Sequence, residues 1–64
     1  MLEEAFLWEG PLDEVAQRAV THVERFKIQN ALQESKWNKT RAAERLGVSY
    51  KTLLSKIRVL GLEN

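Results

Sequence analysis

Apolar residues recur along this chain at helical rather than two-residue spacing, and the phase of that spacing changes partway. Between Leu12 and Ser35 there is neither glycine nor proline, so one long helix is expected there. At about 100° per residue, Leu12, Val15, Ala16, Ala19, Val23 and Phe26 share one face, whereas Ile28, Ala31 and Leu32 gather on the opposite side. Two stripes aimed differently imply two packing partners. The later stripe is placed to cover the elements after it in sequence. The earlier one would meet residues 1–9 and a second copy of the chain, unless the helix kinks near Phe26 and realigns the two.

Punctuating residues divide the rest. Residues 1–9 carry Leu2, Ala5, Phe6 and Trp8 among acids and read as a short amphipathic helix ended by Gly10. Pro11 suits the first position of the long helix, where its missing N–H costs nothing, and Asp13 and Glu14 then favour the helix dipole. Asn38 is a natural N-cap for a helix over 39–46 that turns Ala42, Ala43 and Leu46 inward and Thr40, Arg41, Glu44 and Arg45 outward. The two alanines allow a close, steep crossing by the next helix. Gly47 stands where a left-handed cap is wanted, Val48 plugs the turn, and Ser49 caps a helix over 49–60. There Leu53, Ile57 and Leu60 form one arc with Tyr50 and Leu54 at its edge, while Lys51, Thr52, Ser55, Lys56 and Arg58 take the other side. Gly61 ends it. The pattern is that of a single all-α domain over 1–64: a long helix followed by a helix-turn-helix.

Composition narrows what such a fold can do. With 64 residues and no cysteine, the chain has a thin core and no disulfide or thiolate metal site, which leaves oligomerisation as the remedy. His22 cannot hold a metal alone; it fits a subunit contact or solvent better than a pH switch. No run is apolar for the roughly 20 residues that span a bilayer, and no secretory signal opens the chain, so a cytoplasmic setting is expected. Net charge is +1, but residues 1–34 carry seven acids against three bases, a balance of −4, and residues 35–64 carry seven bases against two acids, a balance of +5. That asymmetry suits a polyanion partner for the basic half; chance clustering on a solvated surface is the plainer alternative. There are no paired carboxylates in a plausible cleft, no glycine-rich phosphate loop and no nucleophile with its base, so catalysis is not expected and no cofactor is called for. Trp37 reads as a plug over the helix junction rather than as a base-stacking platform.

The run Thr40-Arg-Ala-Ala-Glu-Arg-Leu-Gly-Val-Ser-Tyr-Lys-Thr-Leu-Leu-Ser-Lys-Ile-Arg-Val-Leu-Gly-Leu62 resembles the Fis-type helix-turn-helix. It is most similar to the carboxy-terminal domains of NtrC-type, sigma-54-dependent transcriptional activators. Trp37-Asn38, Thr40 to Ala43, Leu46 to Val48, Thr52-Leu53, Lys56-Ile57 and Leu60-Gly61 fit the family pattern in fixed register. The likeness covers residues 37–62 closely and 12–36 loosely. It implies a homeodomain-like three-helix unit with a short amino-terminal helix, acting as a homodimer through Leu2, Phe6, Leu12, Val15, Ala19, Val23 and Phe26. It also implies sequence-specific binding of double-stranded DNA in the bacterial nucleoid, tethering an activator to an enhancer inverted repeat, with the ATPase and receiver domains on the same full-length chain. Asn38, Thr40, Arg41, Ser49, Tyr50, Lys51, Thr52, Ser55, Lys56 and Arg58 take the DNA-contacting positions. The chain departs from the pattern at Tyr50 and Ser55, where many members carry arginine. This removes two bidentate readers of guanine and lowers the expected salt dependence. Tyr50 could instead meet a thymine methyl or a phosphate, or close the edge of the core. A stand-alone Fis-like nucleoid protein is the near alternative, and a helical protein-interaction module the rival from another class.

Overall fold

The computed structural model describes residues 8–62 and places three helices among them: α1 (Leu12–Glu34), α2 (Lys39–Leu46) and α3 (Tyr50–Leu60), with no strand among the described residues. The short helix expected over 1–9, with Leu2 and Phe6, lies outside the described residues except for its end.

α1 starts at Leu12 and ends at Glu34. Pro11 is the N-cap rather than the first helical residue, with extended backbone (ψ 154°). Its carbonyl accepts from the Val15 N–H at 3.0 Å, and a carbonyl is all the N-cap backbone must supply. The helix then runs unbroken to Glu34. The two stripes keep different fates. Ile28, Ala31 and Leu32 are buried, while Leu12 (81% exposed), Val23 (62%) and Phe26 (64%) stand in the open.

The exit from α1 is the least regular backbone in the domain. Lys36 (φ 55°) and Trp37 (φ 65°) are consecutive left-handed residues, each opposed by roughly 1–2 kcal/mol for a side chain with a Cβ. Hydrogen bonds offset this: Trp37 N–H donates to the Leu32 carbonyl at 2.7 Å and Asn38 N–H to that of Ser35 at 3.1 Å. The buried Ser35 hydroxyl lies 3.2 Å from the Leu32 carbonyl and 3.1 Å from that of Asn38. Trp37 packs its ring against the core, the plug role its position suggested.

α2 and α3 are capped at both ends. Asn38 Oδ1 accepts from the Arg41 N–H and Ser49 Oγ from the Thr52 N–H, each at 3.1 Å. Gly47 (φ 72°) and Gly61 (φ 67°) supply the left-handed residue at the other ends. Val48 N–H then returns to Ala43 and Leu62 N–H to Ile57, the long-reach bond of a Schellman motif. Leu62 is carried into the core by that turn, a contact the helix pattern stops too early to reveal. Val48, expected as a plug, is only partly covered.

The core joins Ile28, Ala31 and Leu32 of α1 to Ala42 and Ala43 of α2 and Leu53, Ile57 and Leu60 of α3, with Leu46 and Trp37 at its margin. Leu32, Leu53 and Ile57 are its largest fully enclosed side chains, and each contributes about 1.5–3 kcal/mol on burial. Glu34 of α1 meets Arg45 of α2 at 2.8 Å, but both are half exposed, so the pair adds at most about 1 kcal/mol.

Candidate nucleic-acid interface

With Leu53, Ile57 and Leu60 turned to the core, helical spacing puts Lys51, Thr52, Ser55 and Arg58 on the far side of α3, and all four are exposed. The caps organise the hydrophilic rim of this surface. The Asn38 carboxamide spends its oxygen on the Arg41 N–H, leaving its amide hydrogens for an outside acceptor. Thr40 and Arg41 stand exposed beside it in the first turn of α2. Ser49 is occupied more fully: its oxygen accepts from the Thr52 N–H and its hydrogen goes to Thr52 Oγ1 at 2.9 Å. Thr52, having accepted, keeps its own hydroxyl hydrogen to donate. Ser49 is thus a helix cap first, and Thr52 keeps the freer hydroxyl of the two.

Tyr50 is 48% exposed and stands apart from the residues packed on the core, which favours an outward role over closing the core edge. Lys56 behaves differently from its neighbours. It lies on the flank of α3 that faces α1, and its Nζ is 2.9 Å from Glu24 Oε2. One residue further along α1, Arg25 Nη1 donates to the Leu60 carbonyl at 2.7 Å, satisfying an acceptor at the carboxy end of α3. The sequence pattern missed both contacts. Glu24 could have been found, since it precedes the core residue Ile28 by four and so shares its face.

Val59 is also new to the surface. It is 81% exposed and shares the outward side of α3 with Ser55, four residues before it. Of the residues expected at a dimer interface, Leu12, Ala19, Val23 and Phe26 are exposed along α1, Val15 is half-buried, and Leu2 and Phe6 fall outside the described residues. Among the described residues, α1 carries this apolar stripe and α3 the polar and basic side, and the two surfaces come together at the groove that Val23 shares with Leu53 and Lys56.

The electrostatics of the α3 face are those of an anion site. The N-termini of α2 and α3 carry positive dipole ends, each with one N–H taken by its cap, and Lys51 and Arg58 add full charges. Phosphate oxygens fit such donors, while side chains in the middle of the helix are free to meet base edges. Among the described residues no helix is long and apolar enough to cross a membrane.

Comparison with known proteins agrees with this geometry. The family described as "Bacterial regulatory protein, Fis family" matches residues 19–60, from the middle of α1 to the end of α3. The response regulator protein PilR of Pseudomonas aeruginosa is 39% identical over 41 residues, which is 64% of this chain and 9% of PilR. The chain therefore spans about a tenth of that relative's length. No solved structure matches it significantly. A family match that runs through both helices of the turn and the second half of α1 leaves one assignment: the chain belongs to the Fis family of bacterial regulatory proteins and carries their DNA-binding helix-turn-helix.

Proposed function

We propose that the domain binds an inverted repeat in duplex DNA as a symmetric dimer and so anchors a sigma-54-dependent activator at its enhancer. The observation that carries this reading is the separation of two surfaces: the basic, hydroxyl-rich side of α3 and the bare apolar stripe of α1. A stripe holding Leu12, Val15, Ala19, Val23 and Phe26 would supply a self-complementary contact of the kind a two-fold dimer requires; Leu2 and Phe6, expected to join it, lie outside the described residues. Pairing two copies along it would present two α3 helices to successive major grooves about 34 Å apart. Lys51, Arg58, Arg41, Thr40, Thr52 and Asn38 then hold phosphates, and Tyr50 and Ser55 approach base edges. Similarity to a fragment of a much longer response regulator supports placing receiver and ATPase domains on the same full-length chain.

Selection of bound sequences from a random duplex pool tests the reading as a whole. An inverted repeat with half-sites one helical turn apart is expected. Undetectable binding at low salt, with Lys51→Ala/Arg58→Ala changing nothing, would remove the DNA reading in favour of a protein-interaction module. An enriched site without two-fold symmetry would remove the dimer. A full-length chain without receiver or ATPase domains would favour the stand-alone nucleoid protein.

A further inference from the structure

Lys56 is the one amine of α3 that the fold has turned aside from the outward face. Its ammonium is held by Glu24 at 2.9 Å, and on the same flank Arg25 donates to the Leu60 carbonyl at 2.7 Å, a second contact that fixes α3 toward α1. Release of the ammonium needs only the Lys56 side chain to move. Room for that movement exists: Glu24 and Lys56 together line a groove of about 230 Å³ that opens beside Ser55 and Val59. The same two residues line a second groove, of about 170 Å³, on the side of Val23 and Leu53. The ion pair is thus a partition between two surface grooves, with open space on the DNA-facing side.

Resting on the DNA reading above, we infer that Glu24 is an internal competitor for Lys56 and so sets the strength and salt dependence of DNA binding. A phosphate at the rim of this groove and the Glu24 carboxylate ask for the same ammonium. While Glu24 holds it, each half-site neutralises one phosphate fewer than its basic residues allow, and fewer counterions are released on binding. If Lys56 swings out, it must first break its pair with Glu24. By holding the amine the carboxylate subtracts from sequence-independent attraction, the component that would otherwise hold the domain on any duplex. The partner of α3 on this flank is therefore both an orienting contact and a brake.

The test is fluorescence anisotropy with a random duplex of about 30 base pairs, from about 50 to about 200 mM KCl, on wild type, Glu24→Gln, Lys56→Met, the double variant and Lys51→Met as a reference. Circular dichroism melts accompany each. Glu24→Gln should tighten binding several-fold at the lowest salt and steepen the slope of log K against log[salt] by about 0.9 per half-site, one extra phosphate. Lys51→Met should flatten it by a similar amount, and Lys56→Met should move it by less than half as much. The double variant should return to near wild type, since no released amine remains. A Glu24→Gln slope equal to wild type overturns the inference, as does a Lys56→Met slope as flat as that of Lys51→Met. A double variant as tight as Glu24→Gln also overturns it, because simple repulsion by Glu24 would then be the cause. Wild type that fails to bind any duplex overturns the DNA reading and this inference together; intact wild-type binding with an unresponsive Glu24 overturns this inference alone.

Discussion

α1 carries two apolar stripes of similar composition that meet opposite ends. The stripe of Ile28, Ala31 and Leu32 is closed over by α2 and α3, whereas that of Leu12, Val23 and Phe26 is covered by nothing among the described residues. Hydrophobicity alone does not distinguish them, since valine and phenylalanine lie outside and alanine inside. The difference lies in the chain downstream. The turn at Lys36 and Trp37 folds the chain back onto the later stripe, and no described element returns to the earlier one. Among the described residues the core draws on the second half of the longest helix and leaves the apolar residues of the first half exposed.

The largest effect that would test this contrast is truncation within the closed stripe. Leu32→Ala should lower unfolding free energy by about 2–5 kcal/mol in urea titrations, enough to unfold a domain this small at moderate temperature. Val23→Ala should leave the stability of the monomer within about 0.5 kcal/mol, measured at concentrations low enough to prevent pairing. Equal losses from both substitutions would erase the distinction between the stripes. Next in size is Val23→Glu, which removes two apolar side chains from the proposed dimer seam. A loss of about 3 kcal/mol or more would raise the dimer Kd by two orders of magnitude, read as a shift to monomer mass in sedimentation with helix content unchanged. A wild type that is already a monomer at micromolar concentration would end the dimer proposal.

Smaller changes sharpen the role of the turn between the stripes and the rest. Lys36→Gly should stabilise the domain by about 0.5–1 kcal/mol, since glycine accepts a left-handed φ without strain although it costs some entropy in the unfolded chain. A loss instead would mean that the lysine side chain contributes more than its exposed position suggests. Arg45→Ala, which opens the exposed pair with Glu34, should change stability by less than about 0.5 kcal/mol.

Local signals in the sequence carried far. Asn38 and Ser49 as N-caps, and Gly47 and Gly61 as left-handed ends, need only a few neighbouring residues to be recognised, and all four are found in those roles. The two stripes of α1 were also legible, because periodicity reports direction along one helix. Contacts set by how helices cross were not. The Glu24–Lys56 and Arg25–Leu60 contacts join residues 32 and 35 positions apart, and their existence depends on the angle of α3 to α1. The consecutive left-handed residues Lys36 and Trp37 were hidden for another reason: neither is glycine or asparagine, so nothing in their identity announces the conformation. At the candidate interface, residue type alone grouped Lys56 with the outward lysines and overlooked Val59, which helical phase places beside Ser55.

The connections over residues 35–38 and 47–49 are short, and that brevity governs timing as well as shape. Helices joined by such short turns meet their sequence neighbours first, so little loop entropy is lost before most contacts form, and helical domains of largely local topology fold in microseconds to milliseconds. In the dimer proposed above, pairing two copies at micromolar concentration would be a slower, second-order event. The folded unit would then be ready before it met its twin, and the rate at which the proposed paired species appears should rise with protein concentration rather than with the speed of folding.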